Sequence, residues 1–164
     1  ASHTGDVLVI ATSATVQSHA YAAACRTKGL RALEKACPLL VPLVTAGWIA
    51  HPVTAQVIDV YLNELRCEAK DEGLNYDALV LGCTHYPLLR PLLEKAVTPG
   101  VRIIDSAEAT AEAAGRLFGQ VEGEQSPTAQ VRCFATDSVD KFERLGSYFL
   151  GRPVGEVELV DLGG

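Results

Sequence analysis

Short β-branched runs alternate with segments of helical period along this chain, and that alternation constrains its fold more than any other feature. Asp6–Thr12 (DVLVIAT) predicts a strand. After the polar turn Ser13-Ala14-Thr15, a helical pattern runs from about Val16 to Thr27, with Val16, Ala20, Ala23 and Ala24 on one face, and Gly29 stops it. Arg31–Pro38 predicts a second strand ending at a proline. Leu39–Trp48 is apolar but interrupted by Pro42 and Gly47, which predicts a loop or a short helix. Pro52 stands near the start of a long amphipathic helix in which Val53, Val57, Val60, Tyr61 and Leu65 recur at helical spacing, and Gly73 ends that region. Ala78–Leu81 reads as a buried strand running into a glycine turn, followed by a helix over Pro87–Val97. Val101–Ser106 then predicts a strand, Ala107–Gly119 an alanine-rich helix and Gln120–Ala129 a flexible loop. The chain closes on a strand over Val131–Asp137, a helix over Val139–Gly151 and a last strand over Val154–Leu162.

Strands and helices in this order predict an α/β fold, a mostly parallel sheet with helices on both faces. In such sheets ligands bind beyond the C-terminal ends of the strands. Two strand ends stand out: Thr12-Ser13-Ala14-Thr15 after one, and Gly82-Cys83-Thr84-His85 after another.

Composition narrows the partners. A net charge of −6 argues against nucleic acid, because phosphate binding needs a basic face. No apolar run reaches the roughly 18 residues of a membrane span, so no membrane partner is expected. No signal-peptide pattern opens the sequence. The five cysteines, at positions 25, 37, 67, 83 and 133, form no CxxC pair, and an odd count without framework spacing predicts reduced thiols in a cytoplasmic protein. No metal is expected, since no two Cys or His residues have zinc-finger spacing. The chain opens without a methionine and contains none, which reads like an internal segment of a longer protein.

Leu79–Leu89 (LVLGCTHYPLL) is where chemistry concentrates. A buried strand delivers Gly82, then Cys83 at its mouth, then Thr84 and His85, and Pro87 begins a helix. Gly82 lets the backbone approach a ligand closely, and peptide N–H groups at a helix start favour an anion such as a carboxylate. A helix start and an imidazolium both favour thiolate in a cysteine so placed. His85, two residues on, is set to exchange protons with that thiol or with a substrate. Thr84 offers a hydroxyl and an N–H. The plainer alternative remains open at this point: a cysteine ending a buried strand is most often a small hydrophobe.

The segment GCTHYP leading into a PLL helix resembles the second catalytic motif of glutamate racemases. VLVIATSATVQSHAY resembles that family's strand–turn–helix, and ACPLLVPLV, HPVT and IIDSAEATA correspond in the same order. GCTH is shared across the aspartate/glutamate racemase superfamily, whereas Tyr86-Pro87 and ACPLLVPLV point to glutamate. The resemblance covers nearly all of residues 6–162, weakening after Gln120.

It implies a cofactor-independent, two-base interconversion of L- and D-glutamate, supplying D-glutamate for peptidoglycan and thus for cell-wall biogenesis and cell shape. Cys83 corresponds to the family's second catalytic cysteine. Thr84 and His85 correspond to its substrate-binding Thr-His pair, with His85 also in the catalytic set. Thr12 and Thr15 match the turn near the substrate, although helix capping explains them equally well. The implied fold has two α/β lobes with the active site between them. Residues 1–105 would form the lobe carrying Cys83, and 106–164 part of the other lobe. A homodimer is the implied assembly.

Two departures qualify this. The family's D-S-G-x-G-G and C-N-T-A motifs, the latter holding the first catalytic cysteine, do not occur here, and Cys25, Cys37, Cys67 and Cys133 lack that context. The 164 residues by themselves are therefore expected to be inactive. Thr45-Ala46 stands where the family commonly has acidic residues. The competing expectation is a non-catalytic ligand-binding or interaction protein on a racemase scaffold. Asp105, Glu108 and Asp137 read as helix caps, Trp48 and Tyr61 as core or interface residues, and His3, His19 and His51 as surface or loop histidines.

Overall fold

The computed structural model describes residues 2–118 and 132–163. The expected loop Gln120–Ala129 lies outside the described residues. Contacts divide the chain into two compact units, Ala1–Leu117 and Phe118–Gly164.

The first unit is built on four parallel strands, β1 (Asp6–Ala11), β2 (Arg31–Ala36), β3 (Tyr76–Gly82) and β4 (Arg102–Asp105), in the order β2-β1-β3-β4. Strand periodicity sends alternate side chains to opposite faces. Leu8, Ile10, Leu79 and Leu81 enter one core with residues of α3 (Leu40–Thr45), α4 (Pro52–Asp71) and α5 (Arg90–Ala96). Val7, Val9 and Ala78 enter a second, smaller core against Tyr21 and Cys25. The buried face of α4 is Thr54, Ile58, Leu62, Leu65 and Ala69, and each large aliphatic so buried contributes about 1.5–3 kcal/mol. At the N-terminal ends of the strands, the buried Asp6 carboxylate accepts from Arg31 Nε and Nη2, both at 2.7 Å, and from the Asn75 amide at 2.8 Å. The Arg31 hydrogen bonds hold that carboxyl below the usual range despite its burial.

Several elements depart from the sequence expectations. The helix predicted from Val16 to Thr27 is two helices, α1 (Ser13–Ser18) and α2 (Ala20–Arg26), broken at His19. His19 adopts φ 51°, a left-handed conformation that ends α1 with its amide on the Val16 carbonyl. The Glu34 carboxylate then pins the start of α2, accepting from the Ala22 amide at 3.2 Å and lying 3.0 Å from His19 Nδ1. Within Leu39–Trp48, read as a loop or short helix, Leu40–Thr45 forms the short helix α3 despite Pro42, as one of those readings had it. The helix expected from Pro87 begins instead as a 3₁₀ turn over Tyr86–Leu89, and α5 starts only at Arg90. Of the two readings of Trp48, core or interface, the structure removes the first: it is 44% exposed and stacks on His51, ring centroids 4.4 Å apart. His51 caps α4, accepting from the Val53 amide at 3.2 Å.

The sequence division at 105/106 falls between β4 and α6 (Ser106–Phe118), whereas the compact units part at Leu117/Phe118. At the β4–α6 junction Asp105 Oδ1 accepts from the Glu108 amide at 3.0 Å.

In the second unit, β5 (Cys133–Ala135) pairs in parallel with β6 (Val157–Leu159), and α7 (Val139–Leu150) connects them. Ser138, rather than Asp137, caps α7, and it does so without a side-chain bond. Ala135, Val154 and Val157 form a small core. Gly146 allows α7 its close approach, since a methyl group there would meet Val154 Cγ1 at 2.8 Å.

Candidate active site

The strand order creates the site. The helices that follow β1 pack on one face of the sheet, and the helix that follows β3 packs on the other. Adjacent strands whose connections leave on opposite faces open a crevice at their C-terminal ends. Register pairs Ala11 with Gly82, so Thr12 and Cys83 are the first residues beyond the two strands flanking that crevice.

Thr12 caps α1, its Oγ1 accepting from the Thr15 amide at 3.4 Å, and the Thr12 and Thr15 hydroxyls lie 2.9 Å apart. The capping role is thus real, and both side chains remain half-buried at the mouth. On the neighbouring strand Cys83 is half-buried, with Sγ 3.9 Å from His85 Nδ1, while Thr84 Oγ1 lies 3.5 Å from the same nitrogen. Thiol, hydroxyl and imidazole therefore converge on one atom. At that range a thiol and an imidazole can pass a proton with only a small approach.

The rim is braced across three strand ends. The Cys37 amide donates to the Ala11 carbonyl at 2.8 Å, and the Tyr86 amide to the Cys83 carbonyl at 3.2 Å. The buried Tyr86 hydroxyl donates to the Cys37 carbonyl at 3.1 Å, and burial drives its phenol well above the ordinary value. Cys37 is fully buried, and burial pushes its thiol up to about 12, which suits a packing role.

Sequence reasoning missed Tyr21. From the first turn of α2 its ring reaches the mouth of β3: a methyl group at Gly82 would lie 2.9 Å from Tyr21 Cε2, 3.0 Å from Ala11 Cβ and 3.2 Å from the Ile10 carbonyl oxygen. Gly82, expected from the sequence to let a ligand approach, is needed for this contact. Burial, and secondarily the Cys83 charge, raise the Tyr21 phenol. The only sequence signal was an aromatic in a helix of small residues, and nothing in its spacing pointed across to β3.

A cavity of about 570 Å³ lies elsewhere, in the second unit, lined largely by Phe134, Phe142, Leu145 and Phe149. None of Thr12, Thr15, Cys83, Thr84 or His85 touches it. Among the described residues no group of three His, Cys, Asp or Glu side chains could hold a metal ion. Nor is any helix among them long and apolar enough to cross a membrane.

Comparison with known proteins gives this geometry a context. The sequence profile of the Asp/Glu/Hydantoin racemase family matches residues 1–114. A glutamate racemase of Koribacter versatilis is 48% identical over 186 residues, an alignment covering 99% of this chain and 63% of that protein. A Bacillus anthracis glutamate racemase isoform superposes with a TM-score of 0.80 at 31% identity, over 98% of this chain and 59% of that one. A Francisella tularensis glutamate racemase, solved in complex with D-glutamate, gives 0.77 at 28% identity, over 98% and 59% of the two chains. The chain thus spans about three-fifths of the length of the relatives it matches.

Proposed function

The chain belongs to the Asp/Glu/Hydantoin racemase family, and from that premise we propose that it contributes one catalytic thiol, Cys83, to a glutamate racemase. The observation that carries this reading is the crevice between β1 and β3, with Cys83, Thr84 and His85 on one side and Thr12 and Thr15 on the other.

In the proposed reaction a thiolate on one side of glutamate takes the α-proton and becomes a thiol. A second thiol on the opposite side gives a proton to the carbanion and becomes the thiolate, and the reverse direction exchanges the two roles. One sulfur cannot reach both faces of a bound carbon, so two are required, and neither step needs a cofactor. His85 relays or shares the proton of Cys83 and, with Thr84, Thr12 and Thr15, binds the polar groups of glutamate. The product would be D-glutamate for peptidoglycan, made in the cytoplasm.

Residues 1–105 supply the Cys83 lobe in this reading, and 106–164 belong to the other. The exposed apolar groove of the second unit, where the described residues form a two-stranded sheet, supports the view that those residues are part of a larger core. Leu39, Trp48, Val53 and Val60, which are 53%, 44%, 39% and 54% exposed, supply apolar surface for the expected homodimer.

The 164 residues carry one thiol in such a setting and should not convert L- to D-glutamate by themselves. The test is a D-glutamate production assay on the natural gene product, where Cys83→Ala should lower interconversion by about a thousandfold or more, as losing a nucleophile or base does in other enzymes. Retained turnover in Cys83→Ala would sink the proposal and favour a non-catalytic protein on the racemase scaffold.

A further inference from the structure

We propose that Tyr21 is a positioning residue for Cys83, its ring forming the wall that fixes the thiol at the mouth of β3. This deepens, and rests on, the reading of Cys83 as the acid–base thiol.

Three observations carry it. The ring edge of Tyr21 packs on Gly82, the residue before Cys83, so closely that even a methyl group there would collide with it. Burial raises the Tyr21 phenol, and the charge on Cys83, the residue that follows the Gly82 under this ring, raises it further. Most tellingly, the chain spends structure to place this ring. The break at His19 redirects α2, and the Glu34 carboxylate fastens the start of that helix at the Ala22 amide, the residue next to Tyr21. A straight helix from Ser13 would carry residue 21 along another line.

A thiol whose neighbouring backbone is clamped between a ring and β1 keeps one approach to a bound carbon. Releasing it lets the sulfur wander, and misplacement by about 1 Å can cost up to about a hundredfold in rate. The ring does this work and the hydroxyl does not, so phenylalanine should substitute.

The test exploits the thiols themselves. In the natural gene product, iodoacetamide labelling is followed at each of these cysteines by mass spectrometry, with buried Cys37 as the reporter of global unfolding. Tyr21→Ala should speed alkylation of Cys83 about fivefold or more, Tyr21→Phe should stay within about twofold, and Cys37 should remain unmodified in both. In the natural gene product, Tyr21→Leu should lower kcat about tenfold or more with KM little changed, and Tyr21→Phe should restore it.

An unchanged Cys83 rate in Tyr21→Ala with Cys37 silent overturns the inference. If Tyr21→Ala exposes Cys37, Tyr21→Leu decides by the same labelling criteria. Exposure of Cys37 in both variants would reduce Tyr21 to a support of the fold and also overturn it. Should Cys83→Ala keep its interconversion activity, the reading of Cys83 fails separately, and the labelling comparison still decides the role of Tyr21.

Discussion

Gly82 shows how much one missing methyl group can decide. Its Cβ position is already occupied from three directions, by Tyr21 Cε2, Ala11 Cβ and the Ile10 carbonyl oxygen. Two of the three neighbours belong to the central strand and cannot retreat. Gly82→Ala should therefore cost about 1–3 kcal/mol through overpacking, measured by urea denaturation, and a loss below about 0.5 kcal/mol would show that the ring yields easily. Cys83, Thr84 and His85 were legible in the sequence because a strand, a glycine and three reactive side chains are contiguous there. Tyr21 was not, because its partner is reached only when α2 folds back over the sheet, and one sequence holds no direct record of that contact.

Among elements, legibility followed the length of the pattern. α4 and β3 could be read because apolar spacing repeats over many residues. The break at His19 was missed because it uses no glycine or proline; a non-glycine residue holds φ 51° there, beside the buried Glu34 carboxylate. A β-branched side chain fits that conformation poorly. His19→Val should cost about 1–2 kcal/mol, while His19→Gly should come out milder in the same denaturation series. The start of α6 offers a pH test. Asp105 accepts from the Glu108 amide and pairs with Arg90 Nη2 at 2.6 Å, and those bonds hold its carboxyl below the ordinary 3.8. A depressed carboxyl contributes stability that is present above its unfolded value and lost as pH falls through the folded one. Asp105→Asn should thus cost about 1–2 kcal/mol at neutral pH, and the deficit should shrink as the pH is lowered below 3.8. A deficit constant from pH 7 to acid would refute the assignment.

At the scale of the whole molecule, the two units are unequal in what holds them together. Among the described residues the first has four paired strands and two cores, whereas the second has two short strands and a core of three buried residues. A two-stranded sheet is marginal in water without further cover. Amide hydrogen exchange on the 164-residue chain should find β1 and β3 most protected and β5 and β6 exchanging about a hundredfold faster or more. Equal protection would mean that the second unit draws its stability from another source. Its strands were expected from the sequence to be longer, Val131–Asp137 and Val154–Leu162, because β-propensity marks where a strand can form. How far it extends depends on the strands available to pair with it.

The bracing of the rim carries a last consequence. Ala11 is tied to Cys37, Cys37 to Tyr86, and Tyr86 back to Cys83, so the mouths of β1, β2 and β3 are linked by hydrogen bonds that include a buried phenol. Such a rim cannot dilate without breaking them. The three strand ends therefore behave as a fixed anvil, and whatever enters the crevice gains no extra room by making the strands breathe.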